Sequence, residues 1–238
     1  MNPQSLAEAE EILLYIDEHL RESTKNTDQS LIICPPFIFI EDVARVMDQS
    51  ELSKKVELGA QDIALSDDKA LTGEVSGQML KKFGVKYIII GHSERRWKIG
   101  ESDEVVNQKL KMALADGFVP VVCVGEKEHN GNYKEFIRNQ IQNTFEGVSP
   151  DEIKRCLIAY EPVWAISSNP NVQAEKPEDT LETVTLIKEI LGSETRVLYG
   201  GSVNSGNSKK FLSLDEVSGV LVGGASVRKE EFMEILKS

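Results

Sequence analysis

The stretch Cys156-Leu-Ile-Ala-Tyr160-Glu161-Pro162-Val163-Trp164 decides how this chain is read. Its apolar run, Cys156 to Ala159, reads as a buried strand. Pro162 has no backbone N–H to give to a ladder, so the strand ends beside it. That leaves Glu161 as a carboxylate at the mouth of a buried strand. A charge in such a place is costly unless it is paired. Glu161 therefore has either a buried partner or a proton to move.

Outward from this strand the same unit recurs. Leu31 to Cys34, Val56 to Ala60, Tyr87 to Ile90, Val119 to Val124, Arg196 to Tyr199 and Gly219 to Val222 read as further strands. Between and around them lie helical segments: 5–22, with Ser5 and Glu8 in a capping-box pattern, then 40–47, 76–83, 103–115, 132–145, 178–191, 205–212 and 228–236. Strands that are apolar throughout and alternate with helices form a parallel sheet covered on its outer face. The count is seven strands and eight helices in one α/β domain spanning 1–238. A doubly wound open sheet is the rival, but its G-x-G-x-x-G fingerprint after the first strand does not occur. The chemistry-bearing residues instead follow late strands, which suits a (β/α)8 barrel whose sites share one mouth. Such a barrel needs eight strands, and this chain begins with a helix. The strand apparently missing is the first. Either residues upstream supply it, or the barrel closes imperfectly and leaves two exposed edges.

Composition narrows the function. With 238 residues, 40% of them hydrophobic, the chain can bury a core of barrel size. A net charge of −12 argues against nucleic acid or an anionic membrane as partner, but not against a small anion held by backbone N–H groups. Cys34, Cys123 and Cys156 lie in or beside apolar runs without C-x-x-C spacing, as buried reduced thiols of a cytoplasmic protein would. No apolar run reaches the roughly 18 residues of a membrane span. No metal or cofactor is expected.

Four features fall at C-terminal ends of strands, which a barrel gathers on one face: His92, Glu161, Gly200-Gly201-Ser202 and Gly223-Gly224. The paired glycine turns come after the seventh and eighth strands of an eight-strand count, where backbone N–H groups can hold phosphate. His92 opens a short helical turn, and a helix N-terminus disfavours imidazolium, so a neutral ring could donate a hydrogen bond. His19 and His129 read as surface residues. A carboxylate base, a neutral His and a phosphate site together describe proton abstraction next to a carbonyl.

With those residues in place the chain resembles the triosephosphate isomerase family. The matching stretches are Cys34-Pro-Pro-Phe37, Leu58-Gly-Ala-Gln61, Leu71-Thr-Gly-Glu-Val75, Ile90-Gly-His-Ser-Glu-Arg-Arg96, Val122-Cys-Val-Gly-Glu126, Ala159-Tyr-Glu-Pro-Val-Trp-Ala-Ile166, Tyr199-Gly-Gly-Ser-Val203 and Leu221-Val-Gly-Gly-Ala225. The resemblance implies a TIM barrel that interconverts dihydroxyacetone phosphate and glyceraldehyde 3-phosphate through an enediolate, in glycolysis and gluconeogenesis. By that resemblance Glu161 is the base and His92 the electrophile. Ser93 holds the base at rest, and Glu94 is a buried acid that orients the cluster. Ser167, Ser202, Gly223 and Gly224 hold the phosphate. The loop Thr72 to Glu74 docks into a second subunit, giving a homodimer, with Glu74 and Arg95 a candidate pair across it.

Two departures from the family pattern stand out. The family's first strand ends in Asn-x-Lys facing the substrate, and this chain has no such segment; Met1-Asn2-Pro3 resembles the sequence directly after that lysine. Without the lysine, turnover is expected to be impaired, or the protein to be a non-catalytic relative with the same dimer surface and weak phosphate binding. Second, Ala165-Ile166 leads into a longer loop, Ser167 to Lys176, in place of the family's Gly-Thr-Gly run, and Pro170 is expected to stiffen it.

Overall fold

The computed structural model describes residues 1–22, 30–66, 71–166 and 175–238. Seven strands form one parallel sheet in sequence order: β1 (Leu31–Ile33), β2 (Val56–Ala60), β3 (Tyr87–Ile90), β4 (Val119–Val124), β5 (Leu157–Tyr160), β6 (Arg196–Tyr199) and β7 (Gly219–Val220). Each pairs only with its sequence neighbours, as successive strand–helix units of one hand require.

Alternate residues explain why the strands are apolar on both faces. Ile89, Val121, Cys123, Leu157 and Ala159 form one buried layer on the inner face of the curled sheet. Their neighbours Ile88, Ile90, Val122, Val124, Ile158, Tyr160, Val197 and Tyr199 pack in the layers that include helix residues.

The helices are α1 (Leu6–Glu22), α2 (Ile40–Asp48), α3 (Gly77–Lys81), α4 (Asp103–Ala115), α5 (Tyr133–Thr144), α6 (Pro150–Ile153), α7 (Pro177–Leu191), α8 (Ser208–Leu212) and α9 (Lys229–Leu236). At α1 the Ser5 Oγ accepts the Glu8 N–H at 3.2 Å, and the Glu8 carboxylate accepts the Gln4 N–H at 2.6 Å. The expected capping box is therefore present with its return bond one residue early. Helix α6 is absent from the sequence reading because it is a single turn with no apolar repeat. A complete capping box between Ser149 and Glu152 and a proline in its first turn specify it instead.

The edge strands are shorter than expected, three residues at β1 and two at β7, and among the described residues neither has a partner on its outer side. β1 and β7 do not pair with each other. Both line one cavity of about 2160 Å³ that also contains His92, Glu161 and Gly223. Small-ligand clefts are roughly 300–1,000 Å³, so this space is a ligand pocket merged with an open seam in the barrel wall. Among the described residues no helix is long and apolar enough to cross a membrane.

Candidate active site

Register places the site. Ile90 pairs with Val122 on β4, and Val124, two residues on, pairs with Tyr160 on β5. The residues just past β3 and just past β5 thus reach the same height. Leu157 and Ala159 face inward, and Glu161 continues that alternation while its N–H still bonds the Val124 carbonyl at 2.8 Å. Gly91 takes φ +70°, a left-handed conformation that a side chain would strain, and turns the chain so that His92 reaches the same cavity.

The two side chains meet. His92 Nε2 lies 3.0 Å from Glu161 Oε1, and the Ser93 N–H donates to Glu161 Oε2 at 2.7 Å. Glu161 is only 2% exposed, so these contacts take the place of water at both carboxylate oxygens. The Glu94 N–H donates to His92 Nδ1 at 3.3 Å, which puts the proton of a neutral ring on Nε2. Burial lowers the His92 pKa and the adjacent Glu161 carboxylate raises it; the net direction is upward. Beneath the pair, burial and then Glu161 push the Cys123 thiol well above its ordinary range, so it stays protonated.

Two supports fix this geometry. A Cβ on Gly125 would stand 1.7 Å from the Glu161 carbonyl oxygen, so only glycine lets the end of β4 and Glu161 approach this closely. The turn after His92 is pinned by Arg96, whose buried guanidinium donates to the Gly91 carbonyl at 2.7 Å, the Cys123 carbonyl at 3.1 Å and Asp103 at 2.6 Å.

At the other side of the mouth, Gly223 and Gly224 lie at the start of a 3₁₀ turn, Gly224–Val227, and both are exposed. The Ser202 hydroxyl donates to the Ala165 carbonyl at 2.7 Å, tying its own glycine turn to the segment that carries Trp164. Ser202, Gly223, Gly224, His92 and Glu161 line the same cavity. Ser167 and most of the longer loop lie outside the described residues.

A family model for triosephosphate isomerase matches residues 1–238. The triosephosphate isomerase of Alkaliphilus metalliredigens is 37% identical over 237 residues, covering 95% of this chain and 92% of its own. That of Dictyoglomus thermophilum is 37% identical over 235 residues, covering 94% and 92%. That of Synechococcus sp. (strain JA-2-3B'a(2-13)) is 39% identical over 236 residues, covering 97% and 90%. The chain belongs to the triosephosphate isomerase family.

Against the triosephosphate isomerase resemblance, one residue sits differently from expectation. Glu94 is not buried: its side chain is 53% exposed and pairs with Lys98 at 2.7 Å, which holds its carboxyl below the ordinary range. The sequence around it, polar and helical, gives no sign of which face it occupies. His129 is exposed, as its polar loop implies, and it is also held by contacts. Its Nδ1 contacts Glu126 at 3.1 Å, and its ring packs on Tyr133 and on Trp164, 4.1 and 5.1 Å between centroids.

Glu126 is the residue that the sequence reading passes over as a functional group. It is 1% exposed and accepts hydrogen bonds from Tyr160 Oη at 3.0 Å and Trp164 Nε1 at 2.7 Å. The signal was there: like Glu161, it is a carboxylate just past a buried strand. The candidate docking loop is exposed from Leu71 to Glu74. Arg95 is already paired within its own chain, to Asp62 at 2.8 Å and Glu101 at 2.7 Å.

Proposed function

We propose that this chain interconverts dihydroxyacetone phosphate and glyceraldehyde 3-phosphate by proton transfer between adjacent carbons. The observation that carries the reading is the Glu161 carboxylate held between His92 Nε2 and the Ser93 N–H. A base needs a defined resting place, a short path to carbon and an electrophile nearby. Displacement of Glu161 toward a bound substrate would leave the His92 Nε2–H free to donate to the carbonyl oxygen. It would also remove the charge that raises the ring's pKa, so the donor is neutral imidazole. The enediolate oxygen then gains a hydrogen bond where its charge develops. Ser202 and the N–H groups of Gly223 and Gly224 would bind the phosphate, with Ser167 contributing its N–H. We place Glu94 as an outer, Lys98-paired neighbour of the histidine turn.

The reading extends to one domain over 1–238, a cytoplasmic setting suited to three free buried thiols, and a homodimer through Thr72 to Glu74. Turnover is expected to be impaired in the chain as it stands. Among the described residues no Lys or Arg hydrogen-bonds Glu161 or His92, and the barrel wall is open beside them. The same observation favours a second reading, a non-catalytic relative that keeps the dimer surface and weak phosphate binding.

A coupled assay of triose phosphate interconversion separates the two. Catalysis predicts measurable turnover that falls in Glu161→Asp, where the carboxylate is misplaced, and nearly vanishes in Glu161→Ala. Turnover unchanged in both variants removes Glu161 as the base. No turnover above buffer in the parent supports the second reading.

A further inference from the structure

Behind the base, on the helix side of β5 and β6, lies a polar group of residues that proton transfer at Glu161 does not use. Tyr160 and Tyr199 are register partners, at 0% and 1% exposure. The Tyr160 hydroxyl donates to Glu126 Oε1, which also receives Trp164 Nε1 and contacts His129 Nδ1. Glu126 Oε2, on the same carboxylate, is buried without a hydrogen-bond partner.

Glu175 meets this group from the other side, two residues before Pro177 opens α7. Both its carboxyl oxygens are buried and, among the described residues, neither has a hydrogen-bond partner; the buried Thr180 Oγ1 is in the same state. The groups around Glu175 are Thr180 and Asp179 of α7, Tyr199 of β6, Tyr160 of β5 and Glu126 beyond β4. No cation is among them. An ionised Glu175 would be a buried charge facing other negative charges, whereas its neutral acid has a proton to share with orphaned acceptors.

We propose that Glu175 is a positioning residue for the segment that carries the base. As the neutral acid it completes the cluster of Tyr160, Tyr199, Thr180 and Glu126, and loss of its proton unseats Trp164 from that cluster. Trp164 stands three residues from Glu161, in the 3₁₀ turn Val163–Ala165, so its seating sets where the base's segment rests.

The titration falls in a usable range. Burial pushes the Glu175 carboxyl up to about 8, with Glu126 and Asp179 adding to it against the hydroxyls of Thr180 and Tyr199. The sign comes from linkage. The raised pKa means that the folded protein keeps this proton from the ordinary carboxylate range up to about pH 8 and loses it above. The cluster is intact on the acid side of that value and disrupted on the alkaline side.

The test uses Trp164 as its own reporter. The chain has two tryptophans, so Trp97→Phe leaves Trp164 alone. Its emission is measured from pH 6 to 10 in that background, with and without Glu175→Gln, a neutral isostere of the protonated acid. The proposal expects a transition near pH 8 in the parent and none in the Gln variant, which keeps at pH 9 the emission the parent has at pH 6. A flat parent profile overturns it. So does the same transition in the Gln variant, which would assign the titration to a group other than Glu175. Far-UV circular dichroism checks that the variant is folded; should it not be, Glu175→Asp replaces it, and an unshifted transition there overturns the proposal. Only the kinetic consequence rests on the isomerase reading: kcat falling above pH 8 in the parent but not in the variant. Loss of turnover in both would count against that reading and leave the fluorescence result to decide the role of Glu175.

Discussion

At Glu161 the chemistry was legible before the geometry. A carboxylate placed between a buried strand and a proline implies a partner or a proton, and the structure supplies His92 at 3.0 Å and a backbone N–H at 2.7 Å. What a sequence cannot show is which residue must be small for this to happen. Nothing in the sequence sets Gly125 apart from other glycines, yet the Glu161 carbonyl leaves no room for a Cβ. Gly125→Ala should force the base's backbone outward, costing about 1–3 kcal/mol as an overpacked site. Urea unfolding would show a lower midpoint at constant slope, and kcat would fall more than affinity for substrate. An unchanged midpoint would mean that β4 and β5 separate freely there. Glu94 illustrates the opposite limit. Its type and position fit the family's acid, but exposure depends on how the short turn after His92 winds, and a π-helical turn at Arg95–Ile99 leaves it facing solvent beside Lys98.

At the scale of elements, the strands announced themselves because both faces of the sheet are buried. Runs such as Tyr87 to Ile90 and Val119 to Val124 carry no polar face, and these two strands begin and end where the runs do. The long amphipathic helices were legible for a similar reason. Elements defined by a single turn were not: α6 has four residues and no hydrophobic period, and its specification lies in hydrogen bonds between Ser149 and Glu152. That device has a measurable weight. Ser149→Ala removes the Oγ that accepts the Glu152 N–H and should cost about 1 kcal/mol, the usual value of an N-cap. Thermal or urea denaturation reads this directly, and no loss would mean that Pro150 alone holds the turn. The cluster around Glu126 and Glu175 was invisible at this scale too, because its members come from separate elements and only register and helix packing bring them together.

For the whole molecule, the seven-strand count read from the sequence is the count observed, and its consequence is physical. Consecutive parallel pairing from β1 to β7 leaves two short edges facing one cavity rather than each other. The seam lies beside the turn at Gly223 and within the cavity that His92 and Glu161 line. Membership of the triosephosphate isomerase family is settled by similarity along the whole chain, while the proposed proton transfer rests on Glu161. The most direct measurement is proton nuclear magnetic resonance of dihydroxyacetone phosphate incubated with the protein in deuterium oxide. It detects removal of a carbon-bound proton even when net turnover is slow. The account predicts deuterium entering the carbon next to the carbonyl faster than in buffer alone, with that excess lost in Glu161→Gln. Exchange no faster than in buffer, or equally fast in the Gln variant, would contradict it.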